Sequence, residues 1–324
     1  MSNKSAYKYP KLIATSVIRS VKENESHGGV YLIDTETGET RQVIDWNDCN
    51  IDWKGRGGDR GLRGIAFYEN KIYIAASDEI FVLDKDFNRI KSYKNKYLKH
   101  CHEIFINKNK LYLTSTGYDS ILEFNLDKGE FIKGYYIKQK KDSLDLKVFN
   151  PEQNNGPEQK DTLHINNVGY FNGKIYFSGT CLDKIYFIHK FLGFKSAKPY
   201  MDIPLSTHNT QPYNDGIIYN DTAGKRIIYK NSKIIDEFHI IEYEKEKMLN
   251  TDLPEDHAVQ AFGRGLCFKD DLIFGGSSPA TISVYKQGKP NPIKTINLTM
   301  DIRNSIHGLE IWPFETFKIN EVNQ

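Results

Sequence analysis

Short apolar stretches separated by polar turns run through most of the chain. Residues 62–93 read LRGIAFYENKIYIAASDEIFVLDKDFNRIKSY, in which four apolar stretches are divided by segments rich in Asn, Asp and Lys. Apolar stretches of this length, with many Tyr, Phe and Ile, are typical of β-strands, and Asn and Asp favour the turns between them. Leu and Ala are sparse, so long helices are not expected.

The four-strand unit recurs along the chain with one skeleton. An apolar strand is followed by a turn with Asn or Gly, then by Lys-apolar-Tyr-apolar, and then by two further strands. The recurrences lie at 101–136, 163–203, 206–241 and 262–298. Near the C-terminus, SIHGLEIW matches the first strand of a sixth unit, but the other three strands of that unit do not follow it. Three strands near the N-terminus, KLIATSVIRSV, GGVYLID and ETRQVID, lack a first strand.

A unit of about 40 residues with four strands predicts a blade of a β-propeller. We therefore predict an all-β, six-bladed propeller that occupies residues 1–324 as a single domain. Its C-terminal strand pairs with the three N-terminal strands, which closes the ring and protects strand edges. The alternative is a twisted sandwich with accidental similarity between units. The predicted blades are 62–95, 100–136, 163–203, 206–243, 259–298, and 305–313 together with 11–46.

Charge and composition exclude several classes of partner. The 324 residues include 44 basic and 42 acidic side chains, which gives a net charge of +2. This balance lacks the excess of positive charge that is typical of nucleic-acid-binding proteins. No stretch approaches the roughly 20 apolar residues of a membrane span, and the N-terminus has no signal-peptide core. We expect a cytoplasmic protein, whose four irregularly spaced cysteines are free thiols.

Three long links are expected to cross one face of the propeller, called here the top face. They are residues 46–61, 137–161 and 244–257, and we interpret them as irregular loops. Long loops on a rigid scaffold often carry function, so a ligand or partner site is expected on this face.

Aligning the six first strands places one polar residue of each at the same position near the top face. No member of this set is apolar, and three of the nine histidines in the chain belong to it. The set, called here the polar ring, is Arg63, His102, Asn166, His208, Arg264 and His307. His164 lies two residues before Asn166, and strand alternation places both side chains on one side.

Two functional interpretations of the polar ring stay open. A third possibility is that polar side chains and water simply line the channel, without a functional site. In the first, His102, His208 and His307 bind a divalent transition metal, with His164 as a candidate fourth ligand. Three imidazoles suit Fe, Mn, Zn or Cu without distinguishing them. Nearby Glu103 or Asp59 would orient a metal ligand.

In the second interpretation, the arginines of the ring bind an anion. Arg63 and Arg264 supply planar donors for a carboxylate or phosphate. Arg60, in the glycine-rich segment GRGGDRG, and Asn166 would assist in substrate binding. Arg56 in that segment would also assist in anion binding. His257 lies just before the first strand of blade five and is a further candidate for the site.

At the level of blades, the chain resembles six-bladed propellers of the gluconolactonase and strictosidine synthase-like group. That resemblance implies a divalent ion held by Glu, Asn and Asp, for which Asn166, Asn167 and Glu103 match in type but the His and Arg positions do not. The histidine-rich ring resembles carotenoid cleavage oxygenases, which hold iron, and oligogalacturonate lyases, which hold manganese with an arginine facing the substrate carboxylate. Both of those families have seven blades.

Together these features favour a metal-dependent enzyme of lyase, hydrolase or oxygenase type. Its substrate would be a small polar or anionic molecule in the central funnel. The alternative is a non-catalytic propeller that binds a ligand or a partner protein on its top face. Neither interpretation involves nucleic acid or a membrane.

Overall fold

The computed structural model describes residues 9–22, 24–47, 61–141, 143–191, 194–253 and 259–317. Strands make up nearly all of its regular structure, with short 3-10 turns at Thr116–Tyr118 and Lys245–Lys247. None of the helices found in these ranges is long and apolar enough to cross a membrane.

The strands follow one another in antiparallel sets. The first three are β1 (Lys11–Ile18), β2 (Gly29–Asp34) and β3 (Thr40–Asp45). The next set is β4 (Ile65–Tyr68), β5 (Lys71–Ala76), β6 (Glu79–Leu83) and β7 (Arg89–Lys94). It is followed by β8 (Ile104–Asn107), β9 (Lys110–Ser115), β10 (Ser120–Asn125), β11 (Glu130–Gln139) and β12 (Leu144–Phe149). Then come β13 (Ile165–Phe171), β14 (Lys174–Gly179), β15 (Lys184–Phe191) and β16 (Phe194–Asp202). The fourth full set is β17 (Thr207–Tyr213), β18 (Gly216–Asp221), β19 (Arg226–Lys230) and β20 (Ile235–His239). The last strands are β21 (Leu266–Lys269), β22 (Leu272–Ser277), β23 (Thr281–Lys286), β24 (Lys294–Asn297) and β25 (Asn304–Ile311).

The C-terminal strand closes the ring, as the sequence predicts. Strand β25 pairs antiparallel with β1 in the sheet order β25-β1-β2-β3, with Leu12 opposite Ile311 and Ile18 opposite Asn304. The chain is thus a β-propeller, and we number its blades one to six from β4 onward, so that blade six joins both ends.

The expectation of an irregular loop at residues 137–161 is wrong in part. Strand β11 continues to Gln139, and β12 turns back to pair with it from Gly134 opposite Phe149 to Gln139 opposite Leu144. Strand β12 also touches the outer strand of blade three through Asp145 and Ser196. Blades two and three therefore form one nine-stranded sheet.

The core lies between neighbouring blades, because each blade has two apolar faces. On β1, Leu12 belongs to a core cluster that includes Phe274 of blade five, and the next residue, Ile13, belongs to one that includes Ile74 of blade one. Strand alternation sends these neighbours to opposite faces. Burial of each such side chain contributes about 1.5–3 kcal/mol, so the blade interfaces hold the channel wall in place.

Blades six and one approach closely at the top of the channel, where a glycine is required. The Gly308 amide donates to Thr15 Oγ1 at 2.9 Å. A Cβ at Gly308 would lie 2.5 Å from that oxygen and would collide with the Arg63 carbonyl oxygen. The absence of a side chain at Gly308 therefore fixes the spacing of Arg63 and His307 around the axis.

Candidate functional site

The structure brings the polar ring together at the mouth of the channel. Its six members, Arg63, His102, Asn166, His208, Arg264 and His307, are each at most 6% exposed. The His102 ring lies near the centre, with its centroid 5.2 Å from that of His307 and 6.3 Å from that of His208. His164, from the segment before β13, lies 5.1 Å from the His102 ring.

Arg264 reaches across the axis from blade five. Its Nη1 lies 3.2 Å from His102 Nδ1 and 3.2 Å from His307 Nε2. Because a guanidinium only donates hydrogen bonds, both of these ring nitrogens accept and carry no proton. The proton of His102 is then on Nε2, and that of His307 is on Nδ1. The guanidinium also rests against the ring of Phe262, 4.5 Å from its centroid.

His208 differs from His102 and His307 because its ring is oriented by a carbonyl oxygen of the preceding segment. Its Nδ1 lies 2.9 Å from the Ser206 carbonyl oxygen and 2.9 Å from Thr222 Oγ1. A carbonyl only accepts, so Nδ1 carries the proton and Nε2 keeps a lone pair, 3.5 Å from Thr180 Oγ1.

His164 lies at the rim of the site and is 30% exposed. Its Nδ1 is 3.0 Å from the carboxylate of Asp161. Its backbone is left-handed, with φ of 51°. The carboxylate of Asp119 accepts the backbone N–H groups of Thr162, Leu163 and His164 at 2.9–3.1 Å, which holds this turn.

The Asn166 and Arg63 side chains both form hydrogen bonds to the next blade. The Asn166 amide donates to Thr180 Oγ1 at 3.0 Å and to the Thr207 carbonyl at 2.9 Å, which joins blades three and four. Arg63 Nη1 donates to the Cys101 carbonyl at 3.4 Å, which joins blades one and two. Each side chain thus helps to hold the ring as well as line it.

Burial keeps the imidazoles of the ring uncharged at neutral pH. Desolvation lowers the pKa values of His102, His208 and His307 well below the ordinary range, and the nearby arginine charges act in the same direction. The positive charge of the ring therefore resides on Arg63 and Arg264.

The pKa values of two carboxyl groups in the channel wall are raised rather than lowered. Burial, with a smaller contribution from the charge of Glu310, raises the pKa of Glu103 to about 8, against a hydrogen bond from Asn209 and the charges of Arg264 and Arg63. Burial also raises the pKa of Glu310 to about 8. Glu103 Oε1 accepts from Asn209 Nδ2 at 2.8 Å and lies 3.9 Å from His307 Nδ1. At pH 7 both carboxyl groups are therefore mostly protonated.

Sequence reasoning gave Glu103 an orienting role and a match in type to an ion ligand of the gluconolactonase-like group, and it missed Asn209 and Glu310. A signal was present, because every residue that follows a ring position is polar or glycine. These residues are Gly64, Glu103, Asn167, Asn209, Gly265 and Gly308. They form a second layer beneath the ring, in which the glycines let the blades approach and the Glu103 and Asn209 side chains face one another.

The arrangement does not fit the predicted metal site as it stands. Within the described ranges, no group of three or more His, Cys, Asp or Glu side chains is placed to hold a metal ion. The physical reason is Arg264, whose guanidinium donates hydrogen bonds to the lone pairs of His102 Nδ1 and His307 Nε2 and puts a fixed positive charge among the imidazoles. Metal ligation by these histidines stays a prediction, as does substrate binding by Arg60, which lies outside the described residues together with Arg56, Asp59 and His257.

No protein-family profile matches the chain, and no curated protein sequence matches it. Solved structures do match. A structure of the nidogen/laminin complex is 9% identical, with 92% of this chain and 97% of the other covered and a TM-score of 0.56. A protein of unknown function from Bacteroides caccae is 9% identical over 93% of this chain and 98% of the other, with a TM-score of 0.54.

A third match is a lyase. A catalytically inactive variant of virginiamycin B lyase from Staphylococcus aureus, with quinupristin, is 14% identical. It covers 82% of this chain and 78% of its own, with a TM-score of 0.46, too low to carry an argument about chemistry. The comparisons show a propeller fold. The resemblances to gluconolactonase, strictosidine synthase-like, carotenoid oxygenase and oligogalacturonate lyase propellers are not shown by them.

Proposed function

We propose that the channel mouth binds a small anionic molecule and that Glu103 exchanges a proton with it, so that the protein is an acid–base enzyme. The observation that carries the proposal is the position of Arg264, a buried guanidinium among uncharged imidazoles at the centre of the polar ring. A buried cation in a pocket of low dielectric attracts an anion far more strongly than a surface arginine does.

The imidazoles support this binding mode through their protonation. Since His102 and His307 accept from Arg264, they hold its guanidinium in one orientation and keep the N–H groups on their other ring nitrogens as donors. Both rings stay uncharged and add donors without adding charge. A ligand with a carboxylate or phosphoryl oxygen fits such a donor set.

The proton-transfer step is assigned to Glu103. With a pKa of about 8, its carboxyl group carries a proton at neutral pH and can release it to a ligand oxygen or nitrogen. The carboxylate so formed keeps the hydrogen bond from Asn209, and it faces the N–H of His307 across 3.9 Å. Elimination and hydrolysis are the reaction classes that need such an acid.

The test is calorimetric titration with acetate, inorganic phosphate and malonate, for the wild type and Arg264→Gln. The control is Arg89→Gln, because Arg89 stacks on Phe81 at 4.9 Å on the outer strand of blade one, away from the channel. Arg264→Gln should weaken binding by tenfold or more and Arg89→Gln by less than twofold. Equal binding by both variants, or no binding of any anion by the wild type, would refute the proposal.

A second candidate function is the metal-dependent enzyme predicted from the sequence, and the orientation of His208 favours it. The hydrogen bond from Nδ1 to the Ser206 carbonyl leaves Nε2 as a lone pair, which is how proteins commonly orient a metal-binding imidazole. His102, His208 and His307, with His164 as a fourth, would hold Fe, Mn, Zn or Cu, which would supply a Lewis acid.

A metal could bind His102 and His307 only if the Arg264 guanidinium moved away from their lone pairs. Elemental analysis of protein purified without an affinity metal tests it, beside a variant in which the three ring histidines are replaced by Ala. One transition metal per chain that is absent from the variant supports the metal site. Metal-free protein after incubation with all four metals would refute it.

A further inference from the structure

A third guanidinium, that of Arg19, lies close to the guanidinium of Arg264 in the polar ring. Arg19 follows β1, and its guanidinium carbon is 4.6 Å from the centroid of Phe262. Phe262 also contacts Arg264 at 4.5 Å, so one half-buried aromatic ring supports two arginines. These two distances limit the separation of the guanidinium carbons to about 9 Å.

The three arginines act on the same imidazoles. The charge of Arg19 contributes to the lowered pKa values of His208 and His307. The charge of Arg63 contributes to those of His102 and His307. Arg19, Arg63 and Arg264 thus all act on the histidines at the channel mouth, and Arg264 contacts two of them directly.

The three arginines belong to neighbouring blades, although the Arg264 guanidinium extends across the axis to His102. Arg264 belongs to blade five, Arg19 to blade six and Arg63 to blade one, which are consecutive around the ring. The ring positions of blades two, three and four carry His102, Asn166 and His208, which are uncharged at neutral pH. The ring positions of blades three and four therefore provide no formal positive charge, and Asn209 of blade four holds Glu103 Oε1 at 2.8 Å.

We propose that the ligand carries two negative charges at one end, as a phosphoryl group or a dicarboxylate, and that Arg19 and Arg264, held by Phe262, bind this end together with Arg63. This inference rests on the proposed anion site and specifies its substrate class. Each planar guanidinium presents paired N–H donors that match the oxygens of a carboxylate or phosphate. A single negative charge would leave the repulsion among three guanidinium groups only partly offset, whereas two offset it more fully.

The same geometry orients the ligand. Its charged end lies against Arg264, Arg19 and Arg63, and its remainder extends toward blades three and four, where Asn209 holds Glu103. A ligand bound in the reverse direction would place its charge beside Asn166 and His208, which provide no formal positive charge.

The experiment compares ligands of different charge on the full-length protein. Acetate is the probe for one charge, inorganic phosphate for a compact double charge, and malonate for two carboxylates. They are titrated into the wild type, Arg19→Gln, Phe262→Leu and the control Arg89→Gln. Thermal unfolding of each variant checks that it is folded.

We expect the wild type to bind phosphate or malonate at least tenfold more tightly than acetate. The better of the two identifies the dianion as phosphoryl or dicarboxylate. Arg19→Gln should lose tenfold or more of that affinity while acetate changes by less than twofold. Phe262→Leu removes the support of Arg264 as well as that of Arg19, so it should weaken the binding of acetate and of both dianions. Acetate binding as tightly as both dianions would overturn the inference and leave the anion site standing, whereas no binding by any probe would overturn both.

Discussion

Replacing Glu310 with Gln is expected to stabilise the protein by an amount that grows with pH. Burial raises the pKa of this carboxyl group from its ordinary 4.5 to about 8. Between these values the folded protein holds a proton on Glu310 that the unfolded chain has released, so folding stability falls as pH rises and stops falling above the folded pKa. Glutamine keeps the shape of the protonated acid and cannot ionise in either state.

The size of the gain follows from the width of that window. Each pH unit between the two pKa values corresponds to about 1.4 kcal/mol of unfolding free energy. Glu310→Gln should therefore match the wild type near pH 4 and exceed it by up to about 3 kcal/mol at pH 7. The histidines of the ring destabilise the fold at acid pH in both proteins, so they cancel in the difference.

Urea unfolding at unit steps from pH 4 to 8, followed by tryptophan fluorescence, measures this difference. Glu39→Gln at an exposed turn serves as the matched control and should stay parallel to the wild type throughout. Because the Glu310 charge contributes to the raised pKa of Glu103, the substitution should also lower that pKa, which carbon-13 NMR of labelled glutamate detects. A constant difference between Glu310→Gln and the wild type from pH 4 to 8 would refute the reasoning.

Three further substitutions test the framework around the site by thermal unfolding. Asp119→Ala removes the acceptor of three backbone N–H groups ending at His164 and should cost at least about 3 kcal/mol, whereas a loss under 1 kcal/mol would show that water replaces the carboxylate. Gly308→Ala forces a methyl group against the Arg63 carbonyl and should cost about 1–3 kcal/mol; unchanged stability would mean that the two blades move apart freely. Ile13→Ala leaves a cavity between blades six and one and should cost about 2–5 kcal/mol, and a smaller loss would indicate collapse of that interface.

The fold was readable from the sequence because blade packing imposes a regular pattern. Leu12 and Ile13 face different neighbours, so apolar residues occupy both faces of the strand, and polar turns mark its ends. The unmatched strand at Asn304–Ile311 indicated closure, because an incomplete unit at each end completes one blade.

Strand β12 was missed because its side chains are mostly exposed. In Leu144–Phe149 only the two terminal residues are buried, and the flanking segments are polar, so the stretch reads as a loop. The alternation of Leu144, Leu146 and Val148 with charged residues was the signal that could have identified it.

The polar ring could be predicted from register, whereas its internal contacts could not. Equivalent strand positions converge in any propeller, which brings His102, His208 and His307 together. The reach of Arg264 across the axis depends on the rotamer of a long side chain and on the support of Phe262, neither of which follows from spacing. The raised pKa of Glu103 depends on burial, which is a property of the assembled channel.

The pairing of β25 with β1 also has a consequence for biosynthesis. His307 lies on the last strand to leave the ribosome among those described, and Arg19 follows the first. A nascent chain that has completed blades one to five still lacks the strand that carries His307, so Arg264 has only one of its two imidazole partners. A chain whose synthesis stops before residue 304 would lack both the strand that pairs with β1 and His307, so its polar ring would stay incomplete.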